Sequence, residues 1–249
     1  MTLIEKLKMC RTATKFVPCL LTDAQKEKRV TVSQELFDRS NADENFLKNV
    51  TTGDETWVYG YDVETKVQSS QWMGKLSPRQ TKKKRQSRSD VKVTLIYFFN
   101  WKGIAHYEFV PRGETINKEF YLHALKLLRE AVRRKRPGAW TNNTWMLHHD
   151  NAPAHASLLT REFLTKHETT IVLQPPYSTD LAPADFFLFP KLKSSLNGRR
   201  FQTVETVENS IRDLRATPRN TFQDAFQNWR KREWCIKSGG EYFEEENFD

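Results

Sequence analysis

Hydrophobic and polar positions alternate along the first half of the chain in the pattern of β-strands. Residues 56–61 and 91–100 repeat with a period of two, and the second run is apolar on both faces, which is typical of a central strand. Residues 100–103 (Asn-Trp-Lys-Gly) have the composition of a hairpin turn, because glycine tolerates a positive φ, and they lead into a third run at 104–110. The pattern therefore predicts three consecutive antiparallel strands.

The period changes after Asn117, which is placed to cap a helix that extends to residue 134. The later predicted elements are a strand at 144–147, a helix at 156–166, a strand at 169–173, and helices at 182–196, 204–215 and 222–234. Three strands followed by alternating helices and strands indicate the α/β class. We expect an RNase H-like (retroviral integrase-like) fold, in which helices flank a mixed five-stranded sheet.

Two stretches lie outside this predicted core. Residues 1–49 hold a helical pattern and a second helix at 23–37 that Thr22 can cap; we interpret them as an N-terminal helical linker arm ahead of an RNase H-like domain at 50–249. Residues 62–89 are an insertion between the first two strands. The insertion is longer than an ordinary connection, so we expect it to be functional or mobile.

The distribution of charge along the chain indicates a class of ligand. The chain carries 40 Lys and Arg against 31 Asp and Glu, a net charge of +9, and the excess is concentrated at 75–92 and 126–136. Such blocks suit a polyanion held by its phosphates, although a solvated surface fits them equally well. The run Lys82-Lys83-Lys84-Arg85 is open to three interpretations: a DNA-phosphate contact, a nuclear localisation patch and a soluble loop tip.

Composition disfavours membrane, secreted and zinc-binding classes. No apolar run approaches the ~20 residues that span a bilayer, and the N-terminus has no signal-peptide pattern. We therefore expect an intracellular protein without a membrane partner. Cys10, Cys19 and Cys235 are widely scattered, which indicates neither a disulfide framework nor a zinc site.

The candidate chemistry lies in three aspartates. Asp150 follows a short apolar run and precedes Asn and Pro, so we expect it at the carboxyl end of a buried strand. Asp185 follows after 34 intervening residues, enough for a helix, a strand and a turn that returns the chain to Asp150. Asp54 lies far upstream, beside the first strand. Three carboxylates suit two Mg²⁺ or Mn²⁺ ions, with Asp54 bridging both ions and the other two each holding one.

The residues around these aspartates have supporting or competing interpretations. We expect His155 and Asn151 to orient the loop around Asp150 through hydrogen bonds. Asp180 is interpreted as a helix cap in preference to a metal ligand, because it follows Ser-Thr and precedes Leu-Ala-Pro. His148 and Asp150 also fit the His-x-Asp pair of iron oxygenases. That site needs a histidine from a remote strand, whereas the only later histidines lie within seventeen residues of Asp150.

Three motifs resemble those of mariner-type DNA transposases. They are Thr-Gly-Asp-Glu-Thr-Trp at 52–57, His-Asp-Asn-Ala-x-x-His at 149–155 and Tyr-Ser-x-Asp-Leu-Ala-Pro-x-Asp at 177–185. The resemblance includes the 34-residue spacing and covers nearly the whole chain. The chain departs from the family at Thr179, where proline is usual, and at Phe16 and Cys19, where tryptophan and histidine are usual.

The resemblance implies a metal-dependent enzyme that cleaves DNA and transfers the cut strand, with Asp54, Asp150 and Asp185 as metal ligands. It also implies DNA partners (transposon ends and target DNA), a homodimer assembled through the linker arm and the 62–89 loop, and action in the nucleus. We expect this chain to lack the family's helix-turn-helix modules and so to bind DNA with little sequence preference. The alternative is a domesticated descendant that binds DNA or a protein without catalysing transposition.

Overall fold

The computed structural model describes residues 17, 19–60, 91–196, 201, 203–212, 217–229 and 232–242. The strands are β1 (Val50–Tyr59), β2 (Lys92–Asn100), β3 (Gly103–Val110), β4 (Met146–His148) and β5 (Thr170–Val172). The helices are α1 (Asp23–Ala42), α2 (Phe46–Asn49), α3 (Lys118–Lys135), α4 (Pro137–Thr141), α5 (Leu158–Lys166), α6 (Phe189–Leu196), α7 (Val204–Arg212), α8 (Arg219–Trp229) and α9 (Glu233–Lys237). A 3-10 turn at Thr179–Leu181 and a π-helical turn at Ala184–Leu188 precede α6.

The sheet has the strand order β3-β2-β1-β4-β5. β1 pairs antiparallel with β2, and β2 with β3, whereas β1 with β4 and β4 with β5 are parallel. The hairpin turn before β3 has Gly103 at φ 112°, as its composition predicts. The mixed five-stranded sheet flanked by helices confirms the expected RNase H-like fold.

Each face of the sheet carries its own hydrophobic core. Val93, Leu95 and Phe99 of β2 point to one face, where α1, α6, α7 and α8 cover them, whereas Ile96 and Phe98 point to the other face, under α3 and α5. The alternation predicted for β2 is therefore confirmed. Each such side chain contributes about 1.5–3 kcal/mol when it leaves water, so the two cores hold the sheet rigidly between the helical layers.

Several predicted boundaries were wrong. β1 begins at Val50, six residues earlier than its predicted start, because Thr51 and Thr52 are buried by strand pairing on both sides. The helix predicted from residue 182 starts instead as two irregular turns, and the helix predicted at 222–234 is divided into α8 and α9. Local pattern failed at these places because the backbone pairing and tertiary packing decide them.

Helix α1 packs against the domain. Thr22 caps it in a capping box with Gln25, as predicted, but the helix continues to Ala42. Its buried face includes Arg29, Val32 and Leu36, and it contacts α9. The division of the chain at residue 49 remains a prediction. Residues 1–16 of the predicted linker arm and the predicted insertion at 62–89 lie outside the described residues. No described helix is long and apolar enough to cross a membrane.

Candidate active site

Parallel pairing of β1 with β4 sets the position of two of the three aspartates. Thr52 lies opposite His148 in this pair, and Asp54 and Asp150 each follow two residues later. Asp185 lies in the π-helical turn, which contacts β1. The structure therefore brings Asp54, Asp150 and Asp185 to one edge of the sheet, where their charges influence one another. Their role as metal ligands remains a prediction.

Two of these carboxyl groups have raised pKa values. Burial, followed by the charges of Asp185, Glu55 and Asp150, raises the pKa of Asp54 to about 8. Burial and the charge of Asp150 raise the pKa of Asp185 to about 6. Carboxyl groups shift in this direction when they share a site without enough positive charge to balance them. A divalent cation would supply that charge.

His155 supplies the positive charge nearest to Asp150. Its Nδ1 lies 2.6 Å from Asp150 Oδ1 in an ion pair whose angle is poor for a hydrogen bond, and its Nε2 lies 3.0 Å from Glu55 Oε1. Although burial alone would lower it, pairing with these two carboxylates raises the pKa of His155 to about 10. Burial would raise the pKa of Asp150, but the pairing with His155 lowers it instead. His155 is therefore a protonated bridge between β1 and the loop after β4.

Tyr121 on α3 supports this bridge from behind. Its hydroxyl lies 2.6 Å from His149 Nδ1, and its ring centroid lies 3.9 Å from that of His155. Burial and the charge of His155 lower the pKa of His149 to about 3, so His149 is neutral. Neither Tyr121 nor Glu55 was singled out from the sequence. Glu55 adjoins a predicted ligand and could have been found, whereas nothing in the local pattern marks Tyr121.

His148 has both ring nitrogens engaged in the protein. Nδ1 lies 2.8 Å from Thr52 Oγ1, and Nε2 lies 2.9 Å from Gln174 Oε1. The side chain is buried, and its pKa falls to about 3 because of burial and the nearby charge of Arg232. A ligand to iron needs a free ring nitrogen, so this geometry excludes the iron-oxygenase interpretation. Asn151 donates to the Gln174 carbonyl, 2.7 Å away, which ties the loop after β4 to the end of β5.

The interpretation of Asp180 as a helix cap was wrong. Asp180 lies within the 3-10 turn, and its carboxylate accepts hydrogen bonds of 2.9 and 2.7 Å from the guanidinium of Arg29. Arg29 is fully buried and also donates to Ser178 Oγ and the Gly240 carbonyl. Because this pair is complete, Asp180 has a structural role.

Gly53 is the residue that lets β1 lie close to β2 beside Asp54. A Cβ at this position would overlap the ring of Phe98, which is itself fully buried. Only glycine therefore fits here without moving either strand. Packing against Phe98 therefore determines that residue 53, which precedes the candidate metal ligand Asp54, is glycine.

The donor set fits a hard divalent cation. Within the described residues, no three His, Cys, Asp or Glu side chains are already arranged to hold an ion. Asp54 Oδ1 accepts a hydrogen bond from the Glu55 backbone N–H, and Asp150 Oδ1 accepts one from the Ala152 backbone N–H and pairs with His155. Among the described contacts, Oδ2 of each aspartate is left for a ligand. Carboxylate oxygens that raise one another's pKa suit Mg²⁺ or Mn²⁺ better than softer metals. The basic run Lys82–Arg85 lies outside the described residues.

Sequence comparison relates this chain to known transposases. A family model described as "Transposase (partial DDE domain)" matches residues 62–142. The Mariner Mos1 transposase of Drosophila mauritiana is 29% identical over 238 residues, and the human histone-lysine N-methyltransferase SETMAR is 30% identical over 236 residues. Each alignment covers 92% of this chain. The chain spans 66% of the length of the first relative and 33% of the second.

Solved structures agree in fold. A Mos1 transposase paired-end complex with the left transposon end has a TM-score of 0.86 at 28% identity, over 97% of this chain and 70% of that one. The catalytic domain of Mos1 transposase has a TM-score of 0.75 at 27% identity, over 92% of this chain and 100% of that one. Other Mos1 paired-end complexes were solved with Mn and with Mg.

A 3-2-1-4-5 sheet with aspartates on its first strand, after its fourth strand and in the helical turns after its fifth defines the DDE class of RNase H-like enzymes. Within that class, the chain is similar in sequence and in structure to the catalytic domain of mariner-type transposases.

Proposed function

We propose that this chain catalyses metal-dependent cleavage of DNA strands and transfer of the cut strand to a target. The observation that carries the proposal is the convergence of three aspartates, two of which, Asp54 and Asp185, have pKa values raised by burial and by the charges of neighbouring carboxylates. Asp54, Asp150 and Asp185 would hold the metal. When two divalent ions are bound there, they neutralise phosphate charge and increase the acidity of the attacking hydroxyl or water.

The chain's own residues position these ligands. His155 holds a proton between Asp150 and Glu55, which fixes the orientation of the Asp150 carboxylate and offsets part of the charge of Glu55. Asn151 fixes the loop that carries Asp150. Gly53 places the strand that carries Asp54 against β2. The site is therefore built on the sheet, and a phosphodiester can be held against rigid groups.

The partners follow from the same family. Mos1 transposase forms paired-end complexes with transposon ends and a strand transfer complex, and we infer that this chain binds transposon ends and target DNA as a homodimer. Action on DNA suggests a nuclear or chromosomal location, and the nucleus is our specific proposal. Because the chain carries a net charge of +9 concentrated in basic blocks, its DNA binding should be governed by phosphate contacts and should depend strongly on salt.

A nicking assay tests the proposal. Supercoiled plasmid is incubated with the chain and Mn²⁺ or Mg²⁺, with an EDTA arm and an Asp54→Asn arm as controls. We expect nicks with metal and none in either control. Absence of nicking by the folded, DNA-bound chain under every metal condition would favour the alternative, a domesticated descendant that binds without catalysis. Light scattering of the DNA-bound chain tests the homodimer, and a strict 1:1 complex would exclude it.

A further inference from the structure

A basic cleft lies along β3, at the edge of the sheet. It has a volume of about 610 Å³ and is bounded by β3, by the end of α3 and by the start of α8. Its basic lining residues are Lys102, His106, Arg134, Lys135 and Arg219. None of the described lining residues is acidic. We refer to this site as the β3 cleft.

The cations of the β3 cleft come from three separate elements. Lys102 belongs to the hairpin turn, Arg134 and Lys135 to the last turn of α3, and Arg219 to the first turn of α8. Cations at the end of α3 also stabilise the helix dipole and need no ligand for that purpose. The dipole of α3 gives no reason for Lys102 and Arg219 to converge on the same space. The convergence therefore calls for an anion.

One buried polar atom of the cleft indicates incomplete pairing. Among the described residues, His106 Nε2 has no hydrogen-bond partner, and the adjacent Glu108 Oε2 has none either. Glu108 approaches His106 only to 3.9 Å. Burial, with the charges of Lys135, His123 and Arg134, lowers the pKa of His106 to about 4. The cleft therefore combines an excess of Lys and Arg with a buried, neutral imidazole that has an unpaired nitrogen, which is the reverse of the carboxylate site.

The β3 cleft is aligned with the candidate active site by strand register. Tyr107 lines the cleft and pairs with Tyr97 of β2, which in turn pairs with Asp54 of β1. Two strand spacings of ~4.8 Å place the near end of the cleft about 10 Å from the row of Asp54. At ~3.4 Å per base pair, this separation corresponds to about three base pairs of duplex.

The end of α3 is fixed over the outer edge of β3. Lys135 Nζ donates to the carbonyl oxygens of Ile104 and Ala105, at 3.4 and 2.8 Å. This anchor holds Arg134 beside the edge strand in the absence of any ligand. The cleft is therefore organised in advance, which reduces the entropy cost of binding.

We infer that the β3 cleft is a second DNA contact, which holds backbone phosphates about three base pairs from the bond at the carboxylate site. The inference rests on the proposed function for its choice of DNA as the polyanion. Phosphate contacts of this kind fix the register of a duplex and carry no sequence information. The cleft would align the scissile phosphodiester with the three aspartates.

Charge-neutralising variants test the inference in the full chain. Lys102→Gln, Arg134→Gln and Arg219→Gln are compared with Arg133→Gln, which removes the neighbouring α3 cation that pairs with Glu130 and does not line the cleft. Fluorescence anisotropy measures affinity for a 20-base-pair duplex in EDTA at several salt concentrations. We expect each cleft variant to bind about eightfold more weakly at 0.1 M salt and to reduce the salt slope by about 0.9, with Arg133→Gln unchanged. Circular dichroism checks that each variant folds.

The outcomes separate this inference from the proposed function, because EDTA prevents cleavage. Unchanged affinity and slope in the cleft variants, or an equal loss in Arg133→Gln, would overturn the DNA contact even if the chain nicks plasmid. Tight binding of AMP or inorganic phosphate that the variants lose, with duplex affinity unchanged, would replace DNA with a small phosphate ligand. Weaker binding by the cleft variants of a chain that never nicks would support the cleft and refute the enzyme.

Discussion

Asp180 and Asp185 lie five residues apart on the same connection, and their environments differ sharply. Asp180 accepts two hydrogen bonds from the fully buried Arg29, a residue of α1. Asp185 is partly buried near Asp150, and burial and that neighbouring charge raise its pKa to about 6. The fold gives Asp180 a bidentate internal cation, whereas the charge of Lys193 lowers the Asp185 pKa by less than burial and Asp150 raise it.

The difference separates a structural anion from a ligand. A buried carboxylate with a bidentate arginine is satisfied and has no need of an external ion. A carboxylate left with repulsive neighbours is higher in energy, and binding of a cation releases that energy. The Arg29–Asp180 pair also fixes the 3-10 turn through Ser178, so the satisfied carboxylate holds in place the turns that carry the unsatisfied one.

The largest expected effect is a loss of nicking activity that distinguishes Asp185 from Asp180. Asp185→Asn should abolish Mn²⁺-dependent nicking, because the amide lacks the charge that offsets a divalent cation. The same replacement should stabilise the metal-free protein by about 2 kcal/mol at pH 7, since it removes a repelled carboxylate whose pKa is two units above its ordinary value. Plasmid nicking and urea unfolding in EDTA measure the two effects. Nicking at the wild-type rate would exclude Asp185 as a ligand.

The pH dependence of that stabilisation has a definite sign. A carboxyl group whose folded pKa is raised binds more protons in the folded than in the unfolded protein at intermediate pH, so stability falls as pH rises. For Asp185 this loss develops between about pH 4 and pH 6. Urea unfolding in EDTA should therefore show a flatter pH profile for Asp185→Asn than for wild type. Parallel profiles would contradict the assignment.

A second prediction distinguishes Asp180 from Asp185 by the free energy of unfolding. Arg29→Met should destabilise the fold by about 3–5 kcal/mol, because it leaves Asp180 buried without a cation. Arg29→Met combined with Asp180→Leu should recover most of this loss, since neither charge then remains. Urea unfolding measures all three proteins. The control is Arg133→Gln, which breaks an exposed pair with Glu130 and should cost at most about 1 kcal/mol. A loss from Arg29→Met no larger than that of the control would show that the buried pair contributes little.

The smallest expected effect concerns His155. Replacement by Gln removes the charged bridge between Asp150 and Glu55 and should raise the Mn²⁺ concentration for half-maximal nicking about 10–100-fold. Nicking at saturating Mn²⁺ should remain measurable, because the three aspartates are intact. His123→Gln, an exposed histidine on α3, is the matched control. Unchanged metal dependence in His155→Gln would contradict its positioning role.

The sequence predicted the parts of the fold that local pattern controls. The period of two in β2 and the cap at Asn117 reappear in the structure because each depends on neighbours within a few residues. The start of β1 was missed because Thr51, Thr52 and Gly53 are polar or small and are buried only by the strands that pair with them. Pairing partners about 50 and 95 residues away are not visible in a local pattern.

The candidate site was predictable to a similar extent. The motifs and the 34-residue spacing pointed to Asp54, Asp150 and Asp185, and the structure brings these residues together. The partner of Asp180 was not predictable, because Arg29 lies 151 residues away. Its alignment with Val32 and Leu36 on one face of α1 was the available signal, but an arginine on an apolar face is usually interpreted as exposed.

Gly53 affects how a loss-of-function screen of this chain should be interpreted. Any side chain at this position would collide with the buried ring of Phe98, so that either the ring or β1, which carries Asp54, must shift. A screen scored by nicking alone would then rank Gly53 with the metal ligands, although glycine has no group that can bind or transfer anything. Thermal melting scored in parallel distinguishes Gly53 from Asp54 and Asp185, because a collision lowers the melting temperature whereas removal of either repelled carboxylate raises it.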